Sequence, residues 1–192
     1  LPPEQGPGSP SRPGPTSRSF WQCCWSAIRV VVVEVYGYTI EPGADLQGAD
    51  LSKADLREAD LGGANLLGAD LSRADLREAN LGGANLHNAD LRMANLSEAN
   101  LAGACLWSTD LTGADLSWAY LEEADLCWAR LAGADLSCTD LVGTHLAGAY
   151  FLPEATLLGA KAAANTTWPK RFKPAKAGVV AAFGNGRVGS KI

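Results

Sequence analysis

Residues 51–70, LSKADLREADLGGANLLGAD, and residues 71–90, LSRADLREANLGGANLHNAD, are identical at 16 of 20 positions. Within this twenty-residue repeat runs a shorter one. Leucine stands at every fifth position from Leu46 to Leu146 and Phe151 takes the next place, which makes 22 consecutive registers. Two residues before each lies alanine, replaced only by Thr109, Thr139 and Thr144, and the residue between is Asp or Asn in 17 of the 22. Internal repetition of this strictness decides the architecture before any local propensity does.

A period of five suits neither regular secondary structure. On a helix, five residues advance about 500°, so the leucines would spiral around the axis and no apolar face would form. On one continuous strand, odd steps would send alternate leucines to opposite faces. Ala and Leu of one motif, however, are two residues apart and share a face if the segment between them is extended and the chain turns before the next Ala. Each motif is then one side of a polygon, and the twenty-residue period makes the polygon a square. Glycine fills the last motif position nine times between Gly48 and Gly148, as expected where small residues ease a corner.

The uninterrupted Ala-Asp/Asn-Leu-x-x motifs of residues 44–151 resemble the pentapeptide-repeat family, which implies an all-β fold: a right-handed quadrilateral parallel β-helix with four motifs per coil. Thr167-Trp168-Pro169, Phe172, Pro174 and Ala177-Gly178 are similar to a C-terminal segment common in cyanobacterial members, although Arg171 and Lys173 depart from the small and acidic residues expected there. With coils about 4.8 Å apart, the repeats make a column roughly 26 Å tall whose core is four leucine ladders, represented by Leu46, Leu66, Leu86, Leu96, Leu106, Leu126, Leu146 and Phe151.

Around this column, residues 1–29 are rich in Pro, Gly, Ser and Arg and read as a loose tail. Residues 30–43 read as a capping strand, the β-branched run Val30–Val35, ending in a turn. Residues 152–192 begin with a slipped motif, Ala155-Thr156-Leu157, and continue as a basic cap. The charge is divided accordingly: residues 41–151 hold 18 Asp and Glu against 6 Lys and Arg, and residues 152–192 one Glu against seven Lys and Arg. The stretch Trp21–Tyr38 is broken by Gln22, Arg29 and Glu34, so no run spans a membrane and a soluble, cytoplasmic protein is expected. Five cysteines without metal-ligand spacing argue against a disulfide framework or a zinc site.

Function must then lie at outward positions. Asp50, Asp70, Asp90 and Asp110 stack on the second side as an acidic face; their spacing follows from the fold, Lys53, Arg73 and Arg92 lie nearby, and the reading is a solvated face. His87 and His145 are three coils apart, too far to share a metal. No nucleophile, phosphate loop or pocket emerges, so no catalytic residue, cofactor or metal is expected. Trp107, Trp128 and Tyr120 point outward in the middle-to-late coils. Trp107 and Trp128 are expected as neighbours with Cys127 against Trp107, a candidate docking site for a protein partner. The expectation is a non-catalytic structural or protein-interaction module. The resemblance admits an alternative, since quinolone-resistance members of the family are understood to bind DNA gyrase as acidic mimics of DNA. The net charge of −12 on residues 41–151 favours that reading, and the absence of projecting loops in the repeats weighs against it. The same field disfavours nucleic acid as a ligand of the column.

Overall fold

A computed structural model describes residues 33–182; the loose tail expected at residues 1–29, the start of the capping strand at Val30 and the end of the basic cap at residues 183–192 lie outside the described residues. The period seen in the sequence is the period of the coils. Asp45 bridges Asn65 in parallel, Asp50 bridges Asp70, Asp55 bridges Asp75 and Asp60 bridges Asn80, and each of these four columns continues in steps of twenty residues. The four columns are the sides of a square, numbered here one to four from Asp45. Every side is held alike. The leucine N–H donates to the carbonyl of the Asp/Asn position one coil on, as Leu66 does to Asn85 at 2.8 Å, while the Asp/Asn N–H donates to the alanine carbonyl one coil back, as Asn85 does to Ala64 at 2.9 Å.

Between sides the chain closes a four-residue turn, with the alanine N–H donating to the preceding leucine carbonyl, as Ala69 does to Leu66 at 3.0 Å. Its third residue has positive φ, the type II pattern. Glycine is welcome there but not required. Twelve corners between Lys53 and Cys138 are turned by other residues, among them Arg73 (φ 60°), Glu98 (φ 61°) and Trp128 (φ 63°). Left-handed backbone costs such residues roughly 1–2 kcal/mol each, and the ladder hydrogen bonds on both flanks overrule that preference.

The core contains the Leu and Ala positions and nothing aromatic: Leu46, Leu66, Leu86, Leu96, Leu106, Leu126 and Leu146 are all buried. The three threonines at alanine positions also point inward, and each hydroxyl donates to a main-chain carbonyl, Thr109 to Leu86, Thr139 to Leu136 and Thr144 to Leu121, all at 2.7 Å. This removes the cost of burying them.

Phe151 corrects the sequence reading. It is 47% exposed with φ 59°, and Leu152 fills the inward place instead. The slot is sized for leucine, a phenyl ring would overpack it, and one extra residue lets the chain present Leu152 through the 3₁₀ turn Leu152–Glu154. The slip carries forward. Asp135 bridges Thr156 and Asp140 bridges Lys161, intervals of 21, and His145 bridges Thr167, an interval of 22.

Both ends of the column are closed. At the N-terminal end β1 (Val33–Val35) and β2 (Tyr38–Ile40) pair as an antiparallel hairpin where one strand and a turn were expected, and Ile40 is buried. At the C-terminal end Trp168 occupies the leucine place of its segment and stacks on Phe172, with ring centroids 5.2 Å apart. The 3₁₀ turn Pro174–Ala177 then returns the chain, Val179 is buried, and β4 (Val180–Ala181) pairs in parallel with β3 (Lys161–Ala162).

Candidate interaction faces

The Asp/Asn column is first a structural device. Each carboxylate or amide Oδ1 accepts the backbone N–H two residues ahead, as Asp70 does from Ser72 (2.9 Å) and Asp110 from Thr112 (3.0 Å), which fixes the start of the turn. Where asparagine alternates with aspartate the side chains also ladder along the column: Asn65 Nδ2 donates to Asp45 (2.9 Å) and Asn80 Nδ2 to Asp60 (2.8 Å). A stack of like charges is thereby relieved.

The acidic face of Asp50, Asp70, Asp90 and Asp110 is assembled in one column, but its carboxylates are half-buried and locally engaged. Ser52 and Thr112 hydroxyls donate to Asp50 and Asp110, Arg92 grips Asp90, and Arg130 reaches Asp110 at 3.5 Å. The hydrogen bond from Arg92 holds the Asp90 carboxyl below the usual carboxylate range. On the third side Arg57 does the same for Asp55 and Arg77 for Asp75. Among the described residues no group of His, Cys, Asp and Glu is placed to hold a metal ion, and no helix is long and apolar enough to cross a membrane.

The aromatic residues are exposed, and they make ring contacts beyond those read from the sequence. Trp107 and Trp128 occupy different columns of the first side. Trp107, 37% exposed, packs on His87 with centroids 4.7 Å apart, so His87 is a ring partner rather than a plain surface residue. Trp128 lies over Gly148, where an added Cβ would stand 3.0 Å from the indole, and meets Tyr150 at 5.9 Å; Tyr150 in turn meets Phe151 at 6.5 Å. Trp128, Tyr150 and Phe151 thus form a stripe in which each ring is about half exposed. Tyr120 stands apart on the fourth side, one turn after Trp118. Cys127 is half-buried, and burial together with the Asp125 carboxylate pushes its thiol up to about 11, which keeps it protonated and unreactive at neutral pH. In the sequence His87 is weighed only as a metal ligand, although subtracting twenty from Trp107 finds it as a ring partner; Tyr150 is offset by one column, and adding twenty to Trp128 and looking two residues on finds it.

Five overlapping segments covering residues 43–148, more than half the chain, match the family model described as "Pentapeptide repeats (8 copies)". The chain belongs to the pentapeptide repeat family. Among solved members, this pentapeptide repeat protein is 41% identical to one from the cyanobacterium Cyanothece 51142, covering 49% of its own length and 63% of that chain, with a TM-score of 0.48. It is 34% identical to HetL, described as involved in heterocyst differentiation regulation in the cyanobacterium Nostoc sp. strain PCC 7120, covering 62% of itself and 69% of that chain, with a TM-score of 0.42. The fluoroquinolone resistance protein QnrB1 is 20% identical over 58% of this chain and 65% of its own, with a TM-score of 0.33, a likeness of fold alone. No curated protein matches.

Proposed function

We propose that this pentapeptide repeat protein is a non-catalytic structural module that docks a protein partner through its late coils. The observation that carries the reading is the aromatic stripe Trp128, Tyr150 and Phe151, with Trp107 on the coil below: large rings half exposed on a column whose interior is filled by Leu and Ala. Exposed Trp and Tyr bury much area at small entropic cost when a partner covers them. The rigid ladder beneath holds them in fixed register, so little ordering is needed on binding. Tyr120 belongs to a second, smaller surface.

Trp107→Ala combined with Trp128→Ala removes two rings and no ladder hydrogen bond. The double variant should melt within a few degrees of wild type while its recovery of bound proteins in an affinity pull-down falls at least several-fold. Identical partners at identical yield would eliminate the stripe. The acidic-mimic reading is favoured by the net charge of −12 on residues 41–151. It is weakened by how many of those carboxylates are engaged by Arg57, Arg77 and Arg92. Inhibition of purified gyrase supercoiling that survives loss of both tryptophans would favour it over aromatic docking.

A further inference from the structure

The end of the column reverses the chemistry of its sides. Between the last coil and the C-terminal cap lies a cleft of about 570 Å³ whose accessible apolar floor is Pro153, Pro169, Phe172 and Ala177. Its rim carries Lys170, Arg171, Lys173 and Lys176, all exposed, and among the described residues none of the four is ion-paired. Glu154 is the sole acid between residues 152 and 182. One of the cations is held against its own backbone preference. Phe172 N–H donates to the Pro169 carbonyl at 3.1 Å, closing a turn whose third residue is Arg171 with φ 71°. That position suits glycine, and outside the repeats no ladder requires Arg171 to adopt it.

We propose that this cleft binds an acidic peptide segment carrying an apolar anchor, the anchor on the floor of Pro153 and Phe172 and the carboxylates on the lysine and arginine rim. The cleft is an open groove, a shape that accepts an extended segment. Charge identifies the occupant. The terminal segments of this chain are poor candidates, because residues 183–192 contain Arg187 and Lys191 without an acid, and residues 1–32 contain Arg12, Arg18 and Arg29 against Glu4. A long polyanion is disfavoured as well, since a strand leaving the cleft would run along a column of net charge −12. A short acidic segment of a partner meets the cationic end and stops there. The cleft shares no lining residue with the tryptophan stripe, and the proposal does not rest on it.

The test is fluorescence anisotropy on the full chain with labelled peptides of about ten residues alternating glutamate and leucine, or glutamate and serine, and with a thymidine oligonucleotide of similar length. The glutamate–leucine peptide should bind saturably and at least tenfold tighter than either other probe. Arg171→Gly with Lys173→Gln should weaken it at least tenfold, whereas Lys53→Gln with Arg73→Gln, which removes as many cations from the second side, should change it less than twofold. Thermal melts of both variants establish that the fold persists. Equal weakening by the two variants, equal binding of the serine peptide, or tighter binding of the oligonucleotide overturns the proposal. So does sedimentation showing that the cleft variant abolishes a dimer present without peptide, which would make a second copy the occupant.

Discussion

The repeat column and the C-terminal cap bury the same kinds of side chain by different rules. In residues 44–150 position alone decides a residue's role: Ala and Leu turn inward, Asp or Asn fixes the start of the turn, and the last residue takes positive φ whatever its identity. In residues 151–182 the coil stretches from twenty residues to 21 and then 22, and Trp168, Val179 and Leu152 fill the interior where strict repetition no longer does. A repeated coil needs only to resemble its neighbours. The last coil has a neighbour on one side only, so larger and irregularly spaced residues must cover the leucines it leaves open.

The largest separation between the regions should come from Leu96→Arg. A charge at a fully buried site flanked by coils above and below has no partner, and its cost of several kcal/mol or more consumes most of a typical folding stability. No cooperative melt is expected, and a transition near that of wild type would break the packing account. Trp168→Ala should be milder, about 2–3 kcal/mol, because the ring is only partly buried and its loss opens one end rather than the middle. A local readout is expected: amide exchange should accelerate in residues 160–182 and remain slow in residues 60–110. Uniform acceleration would show that cap and column unfold as one unit.

Smaller still is Arg73→Gly, which relieves positive φ at a corner and should stabilise by under about 1 kcal/mol in chemical denaturation. Destabilisation would mean that the Arg73 side chain, not its backbone, matters there. The smallest effect is acidic. Asp55, Asp75 and Asp90 are held below the ordinary carboxylate range by Arg57, Arg77 and Arg92, so their contribution is fully present above the unfolded carboxylate value of about 4 and fades as pH falls through the lower folded values. The arginine of each pair is about half exposed and solvent screens the attraction, so the melting temperature should decline only slightly below about pH 4, with Asp90→Asn flattening part of that slope. A steep loss already at pH 5 would contradict the assignment.

The column was legible in the sequence because its physics is periodic. Ala and Leu two apart share a face, and the repeat of twenty sets the number of sides, so Leu46 to Leu146 fell where expected. Phe151 did not, because counting by fives cannot register the single extra residue that lets Leu152 take its place. The corners were half legible: Gly48 and Gly148 marked them, yet Trp128 and Glu98 adopt the same conformation under constraint from the ladder. The ring pair Trp107–His87 lies one twenty-residue coil apart in a single column, the pair Trp128–Tyr150 depends on an offset between columns that single motifs do not display, and the cationic cleft is built from a return of the chain that has no period at all.

The separation of the twenty-residue coil from the five-residue side has a consequence for how such a chain can grow. Removing or duplicating five residues keeps every leucine inside, but it turns all later side chains a quarter of a revolution, so a deletion of one motif between Trp107 and Trp128 would carry Trp128 to a different wall. Removing or duplicating twenty residues lengthens or shortens the column and leaves each wall with its own residues. Changes in length that are neutral for the core thus fall into two kinds, those that reshuffle the surface and those that merely translate it along the axis.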